Sequence, residues 1–339
     1  MNRLPRPLAL LTMFLWWGAT VWVPVLAADP TVELVDVGKI WDAAPHNAFT
    51  DLVRWKGRWW CAFREGSGHV NHYGKLRVIA SEDGKTWHSQ ALMTAVFADL
   101  RDAKLAVTPG GELMLYGAGA MHPPIAFRHQ TVAWFSRDGR QWSDPVKIAD
   151  PNYWLWRVTW HQGAAYGFAY GTKPDNRWIR LYRSTNGRKF ELVADKVVAE
   201  GYPNESSIVF APDHTAYCLL RRDGRPNSGL LGVAKPPYTD WKWHDLGMRI
   251  GGPHMVRLAD GRFLAVVRLY NGRVRTSVCW VDPQKGTITE ALALPSGGDC
   301  SYAGIVPADD GLIWISYYST HEGKTSIYLA RVRVGPAQP

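Results

Sequence analysis

Cysteine is scarce. The 339 residues hold four, Cys61, Cys218, Cys279 and Cys300, with no Cys-x-x-Cys pair and no Cys/His spacing of a metal site. A disulfide-knit miniprotein is thereby excluded, and a chain this long buries enough core to fold without bridges. Packed thiols are expected, with Cys279 and Cys300 the one pair close enough in sequence to invite a bridge. The chain also lacks a Pro/Ser/Gly-rich linker, a low-complexity tract and any block of like charges, so one domain is expected over residues 29–339. After residue 28 no apolar run is long enough to cross a bilayer as a helix. Basic residues are scattered among Trp and Tyr rather than gathered in tracts, which argues against nucleic acid as a partner. No metal and no cofactor is expected, and the protein is expected to be a monomer.

The first 28 residues read as an export signal. Arg3 and Arg6 supply the positive start, residues 8–23 are almost wholly apolar, and 24–28 offer small residues for cleavage after Ala27 or Ala28. The mature protein is expected to be secreted or periplasmic, with no stable membrane insertion. The chain has 39 Lys and Arg against 30 Asp and Glu; without Arg3 and Arg6 the balance is 37 against 30, about +7. A basic pocket for an acidic substrate suits that balance.

What the chain has in abundance is a repeat. Ser81-Glu82-Asp83-Gly84-Lys85-Thr86-Trp87 recurs as Ser136-Arg137-Asp138-Gly139-Arg140-Gln141-Trp142, and again, degraded, as Ser184-Thr185-Asn186-Gly187-Arg188-Lys189-Phe190, at spacings of 55 and 48 residues. Each follows a β-rich run; Asp-Gly or Asn-Gly supplies the tight turn and the aromatic packs back on the sheet. A second series of polar turns lies at Lys56-Gly57, Gly110-Gly111, Gln162-Gly163, Pro212-Asp213, Asp260-Gly261 and Asp310-Gly311. The strands before them are expected to begin near Asp51, Asp102, Arg157, Glu205, His254 and Tyr302, spaced 51, 55, 48, 49 and 48 residues apart.

Six units of about 50 residues, all β and turn-rich, predict a six-bladed β-propeller of four-stranded blades. The last unit has room for three strands only. Residues 31–37, an alternating Val-Glu-Leu-Val-Asp-Val segment, are expected to supply its outer strand and so close the ring without an exposed edge.

This architecture brings the starts of the innermost strands together at one face of the axis. Joining them are the residues reflected through each turn: Arg64, Ala118, Tyr170, Arg221, Arg268 and Tyr318. Four Arg, three carboxylates, a His and three Tyr are then expected around one pocket. Charges are rarely buried at that density for packing alone.

These residues resemble the sialidase (neuraminidase) family. The Ser-x-Asp-Gly-x-x-Trp segments are close variants of that family's Asp-box, and Asn204-Glu205-Ser206, Arg221, Arg268 and Ser301-Tyr302 follow the family's order of Glu, Arg, Arg and Tyr. The resemblance implies a retaining exo-α-sialidase-like glycosidase that releases sialic acid or a related acidic sugar. A carboxylate on the anomeric carbon repels an anionic nucleophile, which is why sialidases attack with Tyr. Tyr302 would attack, Glu205 would take its proton, and Arg221 and Arg268 would hold the substrate carboxylate.

Two positions depart from the family. Its first Arg is replaced by Thr50-Asp51, and Arg64 is expected to reach the same space. Its acid/base Asp is absent from the segment Ser67-Gly68-His69-Val70-Asn71-His72, so that Asp51, Asp102, Glu65 or His69 must stand in. Arg157 and His254 complete the expected substrate-binding set. Two other functions fit the composition: a propeller lyase or other glycosidase acting on uronate-containing glycans, and a non-catalytic glycan-binding propeller.

Overall fold

The computed structural model describes Met1 and residues 31–123 and 125–336; the export-signal segment lies outside the described residues. Strand follows strand from end to end. β1 (Val32–Trp41) is followed by β2 (His46–Trp55), β3 (Arg58–Gly66), β4 (Lys75–Ser81) and β5 (His88–Met93), the last four forming blade one. Blade two is β6 (Ala98–Val107), β7 (Leu113–Met121), β8 (His129–Ser136) and β9 (Val146–Lys147). Blade three is β10 (Tyr153–His161), β11 (Ala164–Gly171), β12 (Ile179–Ser184) and β13 (Glu191–Val198). Blade four is β14 (Pro203–Phe210), β15 (Ala216–Arg222), β16 (Leu230–Ala234) and β17 (Trp241–Asp245). Blade five is β18 (Ile250–Arg257), β19 (Phe263–Leu269), β20 (Arg275–Asp282) and β21 (Thr287–Ala293). Blade six takes β22 (Cys300–Pro307), β23 (Leu312–Ser319) and β24 (Ser326–Val334), and is completed by β1. The protein is a six-bladed β-propeller.

The closing strand forms as its alternation predicts. β1 runs antiparallel to β24, from Val32 opposite Val334 to Trp41 opposite Ile327, with Asp36 paired to Arg331 and Glu33 to Arg333 on the solvent side. The ring is thus held shut by strands from opposite ends of the described chain, and β24 keeps no bare edge. Across the same seam Trp59 of β3 stacks on Trp314 of β23, ring centroids 4.1 Å apart.

The core is a set of apolar layers between adjacent blades rather than one central mass. Trp55, Trp60 and Leu76 meet Leu100, Leu105 and Trp134 between blades one and two, and comparable layers follow around the ring. The three Asp-Gly or Asn-Gly segments stitch these layers. In the first, Ser81 Oγ accepts the Gly84 N–H and Asp83 Oδ1 accepts the N–H groups of Lys85 and Thr86, both at 2.8 Å. The second repeats these bonds through Ser136 and Asp138, and the third through Ser184 and Asn186. Each glycine lies against the neighbouring blade: Gly84 on Trp314, Gly139 on Trp60, Gly187 on Met114. A Cβ on Gly139 would sit 1.9 Å from the Trp60 ring, and its φ of +77° would strain any other residue. The four cysteines are buried free thiols, Cys279 and Cys300 included.

Strand register departs from the sequence reading. The innermost strands begin two to five residues earlier than expected. Each also carries a bulge at the same level: Ala48/Asp51, Arg101/Lys104, Leu155/Val158, Pro203/Ser206, Gly251/His254 and Ser301/Gly304. Aligned on these bulges, Tyr302 matches Asp102, Phe49 and Trp156; Glu205 lies one position further on, with Arg157; Asp51 and His254 lie two further on. The six residues expected at one level occupy three, because an extra residue in a strand breaks the two-residue alternation through which they were counted.

Candidate active site on the propeller axis

The bulges aim side chains across the axis. Several residues there adopt positive φ without being glycine: Phe49 (62°), Asp102 (54°), Ser301 (85°) and Tyr302 (54°). Such conformations cost roughly 1–2 kcal/mol each and persist only where surrounding packing enforces them.

Tyr302 and Glu205 meet across the axis. The Tyr302 hydroxyl donates to Glu205 Oε1 at 2.6 Å, and Arg221 Nη1 donates to the same oxygen at 2.6 Å and to the hydroxyl at 2.8 Å. Glu205 Oε2 accepts the Gly252 N–H at 2.7 Å. Gly252 has φ +55°, and a Cβ there would lie 2.9 Å from the Tyr302 ring, so only glycine lets the ring settle over this backbone. Phe49 and Trp156 pack edge-on against the Tyr302 ring at 5.1 and 5.8 Å. Burial, reinforced by the Glu205 charge, holds the Tyr302 phenol well above its ordinary pKa, against the pull of Arg221 and Arg268. A phenol so placed becomes a nucleophile only as its proton passes to the carboxylate.

Arg268 forms the adjoining wall. It donates through Nε to the Cys300 carbonyl (2.8 Å) and through Nη2 to Tyr318 Oη (2.8 Å) and Asp299 Oδ1 (3.0 Å), with its guanidinium 5.1 Å from the Tyr302 ring centre. Asp102 is buried and makes no side-chain hydrogen bond among the described residues. Burial first, then the nearby Glu205 charge, raise its carboxyl above the usual range, partly offset by Lys104 and Arg101. A carboxyl shifted in this direction keeps its proton to higher pH than an exposed one.

Tyr302, Glu205, Arg221, Arg268 and Asp102 therefore share the site. Four other expected residues do not join that cluster. Asp51 accepts two bonds from Arg157 Nη1, at 2.9 and 3.0 Å, and the Leu105 N–H at 2.9 Å. Arg157 reaches on to the Ala303 carbonyl, which also accepts from His254 Nδ1 at 3.0 Å. These three form a polar plug further along the strands, where Lys104 is also buried and pushed down to about 8, mainly by desolvation. Arg64 is fully buried: Nε and Nη2 hold Asp99 Oδ1 at 3.0 and 2.8 Å, Nη1 holds the Gly68 carbonyl and Nη2 the Asn71 side chain. Its place is a clamp for the loop of residues 67–74, with no nitrogen left for a carboxylate clamp at the axis.

Two residues absent from the sequence reading belong here. Arg101 lies 5.8 Å above the Phe49 ring, gives Nη2 to the His69 carbonyl at 3.4 Å and has no carboxylate within salt-bridge distance among the described residues. Asp299 joins Arg268, Tyr318, His46 and His69. Burial would raise its carboxyl, but the bonds from His46, His69 and Tyr318 hold it well below the usual range. The signal was available in Gly297-Gly298-Asp299, an acid three residues before Tyr302 after a glycine pair. His46, His69 and Asp299 offer ligand atoms within 4.8 Å of one another. The Asp299 Oδ2 atom, however, lies between the imidazoles at 3.2 and 2.7 Å, closing the group as a hydrogen-bond hub.

No protein-family model and no curated protein matches the chain. Solved structures do. A protein of unknown function from Dyadobacter fermentans superposes with a TM-score of 0.76 at 20% identity, over 90% of this chain and 100% of that one. A GH93 α-L-arabinofuranosidase of Fusarium graminearum, in complex with arabinobiose, gives 0.68 at 16% identity, over 88% and 98%. The Trypanosoma rangeli sialidase in complex with the inhibitor DANA gives 0.65 at 14%, over 86% of this chain and 55% of the sialidase. At these identities the likeness is one of fold, and it agrees with the six blades described above.

Proposed function

We propose that the protein is a retaining glycoside hydrolase that removes a terminal sialic acid or related acidic sugar, with Tyr302 as nucleophile and Glu205 as its base. The observation that carries this reading is the triangle of Tyr302, Glu205 and Arg221, closed at 2.6, 2.6 and 2.8 Å. Tyr302 Oη attacks the anomeric carbon as its proton moves to Glu205 Oε1 and the bond to the leaving oxygen breaks. Water then attacks the same carbon and the Tyr302–sugar bond breaks; the proton on Glu205 returns to the phenolate, and the proton that water gives up balances the one taken by the departing oxygen. Asp102, buried and without a side-chain hydrogen-bond partner among the described residues, serves a sugar hydroxyl. A substrate carboxylate finds Arg101 and Nη1 of Arg268, which are without an acidic partner. The sialidase among the structural neighbours gives the reading a fold-level precedent.

A second reading draws on the charge pairing. All three nitrogens of the Arg221 guanidinium already serve Asp223, Glu205 and Tyr302. A neutral furanoside, of the kind named for the arabinofuranosidase neighbour, would not need them, and Glu205 itself would then be the nucleophile. One experiment separates the two. Fluorinated sialoside and fluorinated arabinofuranoside analogues are each incubated with the protein, and the digest is read by mass spectrometry. Label on Tyr302 from the sialoside supports the first reading, label on Glu205 from the furanoside supports the second, and no turnover of either glycoside class sinks both.

A further inference from the structure

We propose that His69 is the catalytic acid/base of this site and that Asp299 is its positioning residue. The inference rests on the hydrolase reading, which leaves the proton for the departing oxygen without a donor.

The geometry begins with Asp299. An ionised carboxylate only accepts, so each ring nitrogen facing Oδ2 must carry its proton toward it: His69 Nδ1 at 2.7 Å and His46 Nε2 at 3.2 Å. Oδ1 is held by Tyr318 Oη at 2.7 Å and Arg268 Nη2 at 3.0 Å. The carboxylate is therefore fixed from four sides. With Nδ1–H fixed on Asp299, the exchangeable site of His69 is Nε2, which has no partner among the described residues. This is the tautomer a carboxylate imposes on a proton-transferring histidine. His46 is buried and supports Asp299 from the inner side, whereas the His69 side chain is about half exposed at the mouth.

Placement agrees. The His69 ring packs edge-on to Phe49 at 5.1 Å, and Phe49 packs edge-on to Tyr302 at 5.1 Å, so one aromatic ring separates acid from nucleophile. The loop is fixed from below, since fully buried Arg64 binds Gly68 and Asn71 on either side of His69 while anchored on Asp99. Arg101 also donates to the His69 carbonyl. Of the titratable and charged groups around the ring, Asp299 meets it directly, His46 shares that carboxylate, and Asp102 and Arg101 approach from blade two. In the first half-reaction Nε2–H gives its proton to the leaving oxygen as the glycosidic bond breaks. In the second, neutral Nε2 takes a proton from the attacking water, and the Tyr302–sugar bond breaks with the phenolate reprotonated by Glu205.

The experiment compares wild type, His69→Gln, Asp299→Asn and Asp102→Asn on two glycosides of the same sugar. One has a nitrophenyl leaving group that departs without a proton; the other has a sugar alcohol oxygen that needs one. In His69→Gln, kcat/KM should fall at least ~100-fold on the second substrate and far less on the first, with azide speeding breakdown of the intermediate. Asp299→Asn should show the same split more weakly, and Asp102→Asn should lower both substrates alike. Equal losses on both substrates in His69→Gln overturn the assignment while leaving the hydrolase reading intact. Loss of wild-type turnover in EDTA, restored by zinc, also overturns it and makes the hub a metal centre. Nitrogen NMR of the His69 ring tests it without turnover: Nδ1 should carry the fixed proton in wild type and lose that preference in Asp299→Asn. A fixed proton on Nε2 instead overturns the proposal even if no substrate is found.

Discussion

Replacing Tyr302 with Phe should separate chemistry from stability. The hydroxyl makes two bonds, a donation to Glu205 at 2.6 Å and an acceptance from Arg221 at 2.8 Å. A hydrogen bond to a charged group contributes about 1.5–3 kcal/mol. Its removal here orphans little, because Arg221 still holds Glu205 Oε1 at 2.6 Å and the Gly252 N–H still holds Oε2. The stability loss should therefore lie at the lower end, ~1.5 kcal/mol, or about 3 °C in Tm for a domain of this size. Turnover should fall by ~10³ or more if the phenol is the nucleophile. Arg221→Met is the contrast: it takes from Glu205 its ion-pair partner among the described residues, in a setting where breaking a buried pair costs about 3–5 kcal/mol. Denaturant melts and single-turnover kinetics on both variants check the ordering. A Tyr302→Phe protein that keeps wild-type turnover, or that is destabilised as much as Arg221→Met, refutes the reasoning.

Gly252→Ala should lower kcat at least ~10-fold and stability by ~1–2 kcal/mol, since its Cβ at φ +55° displaces the Tyr302 ring; steady-state kinetics decide it. Trp314→Ala should cost about 3–5 kcal/mol by emptying the seam between Trp59 and Gly84, read as a lowered denaturation midpoint. Arg101→Met should raise KM for an acidic sugar about 10- to 150-fold, the equivalent of one charged bond, and change KM for a neutral glycoside far less. His254 stays neutral in the fold, because burial and then the Arg157 charge push it well below the ordinary imidazole value. The unfolded chain binds that proton below pH ~6.5, so acidification from pH 7 to 5 should lower stability, by at most ~1.4 kcal/mol per pH unit from this residue. His254→Asn should flatten that part of the slope in denaturation curves taken across the range.

Much of the fold was legible because turn chemistry is local. Asp83-Gly84 and Asp138-Gly139 can be read without knowing what lies across the space, and their spacing counts the blades. The closing strand was legible for a related reason: the last unit was one strand short and residues 31–37 alternate as an edge strand does. Tyr302, Glu205, Arg221 and Arg268, which lie together in the fold, come from treating every inner strand as an equal reflection through its turn. The same rule put Asp51, Arg157 and His254 in one ring with them, whereas the bulges carry Asp51 and His254 two positions beyond Tyr302 and Arg157 pairs with Asp51. Asp299 was missed because it precedes its strand, and Arg101 because its neighbour Asp102 filled the expected position.

Pairing is what a sequence conceals most. Read as a ring of side chains, Arg64, Arg157, Arg221 and Arg268 made a strongly basic clamp. In the fold each faces acid: Asp99, Asp51, Glu205 with Asp223, and Asp299. Isolated burial of these arginines would be prohibitive, so their partners are the condition for having them on the axis at all. The pairs then act as rigid supports. Arg64 fixes the loop that carries His69, Arg157 and Asp51 seal the floor beneath Tyr302, and Arg221 binds Tyr302 to Glu205. On the reading proposed above, a substrate anion would meet the few donors left over, Arg101 and one nitrogen of Arg268. A pocket built this way presents a small unmatched remainder of charge on a neutralised frame, so the chain's net +9 says little about what binds at its centre.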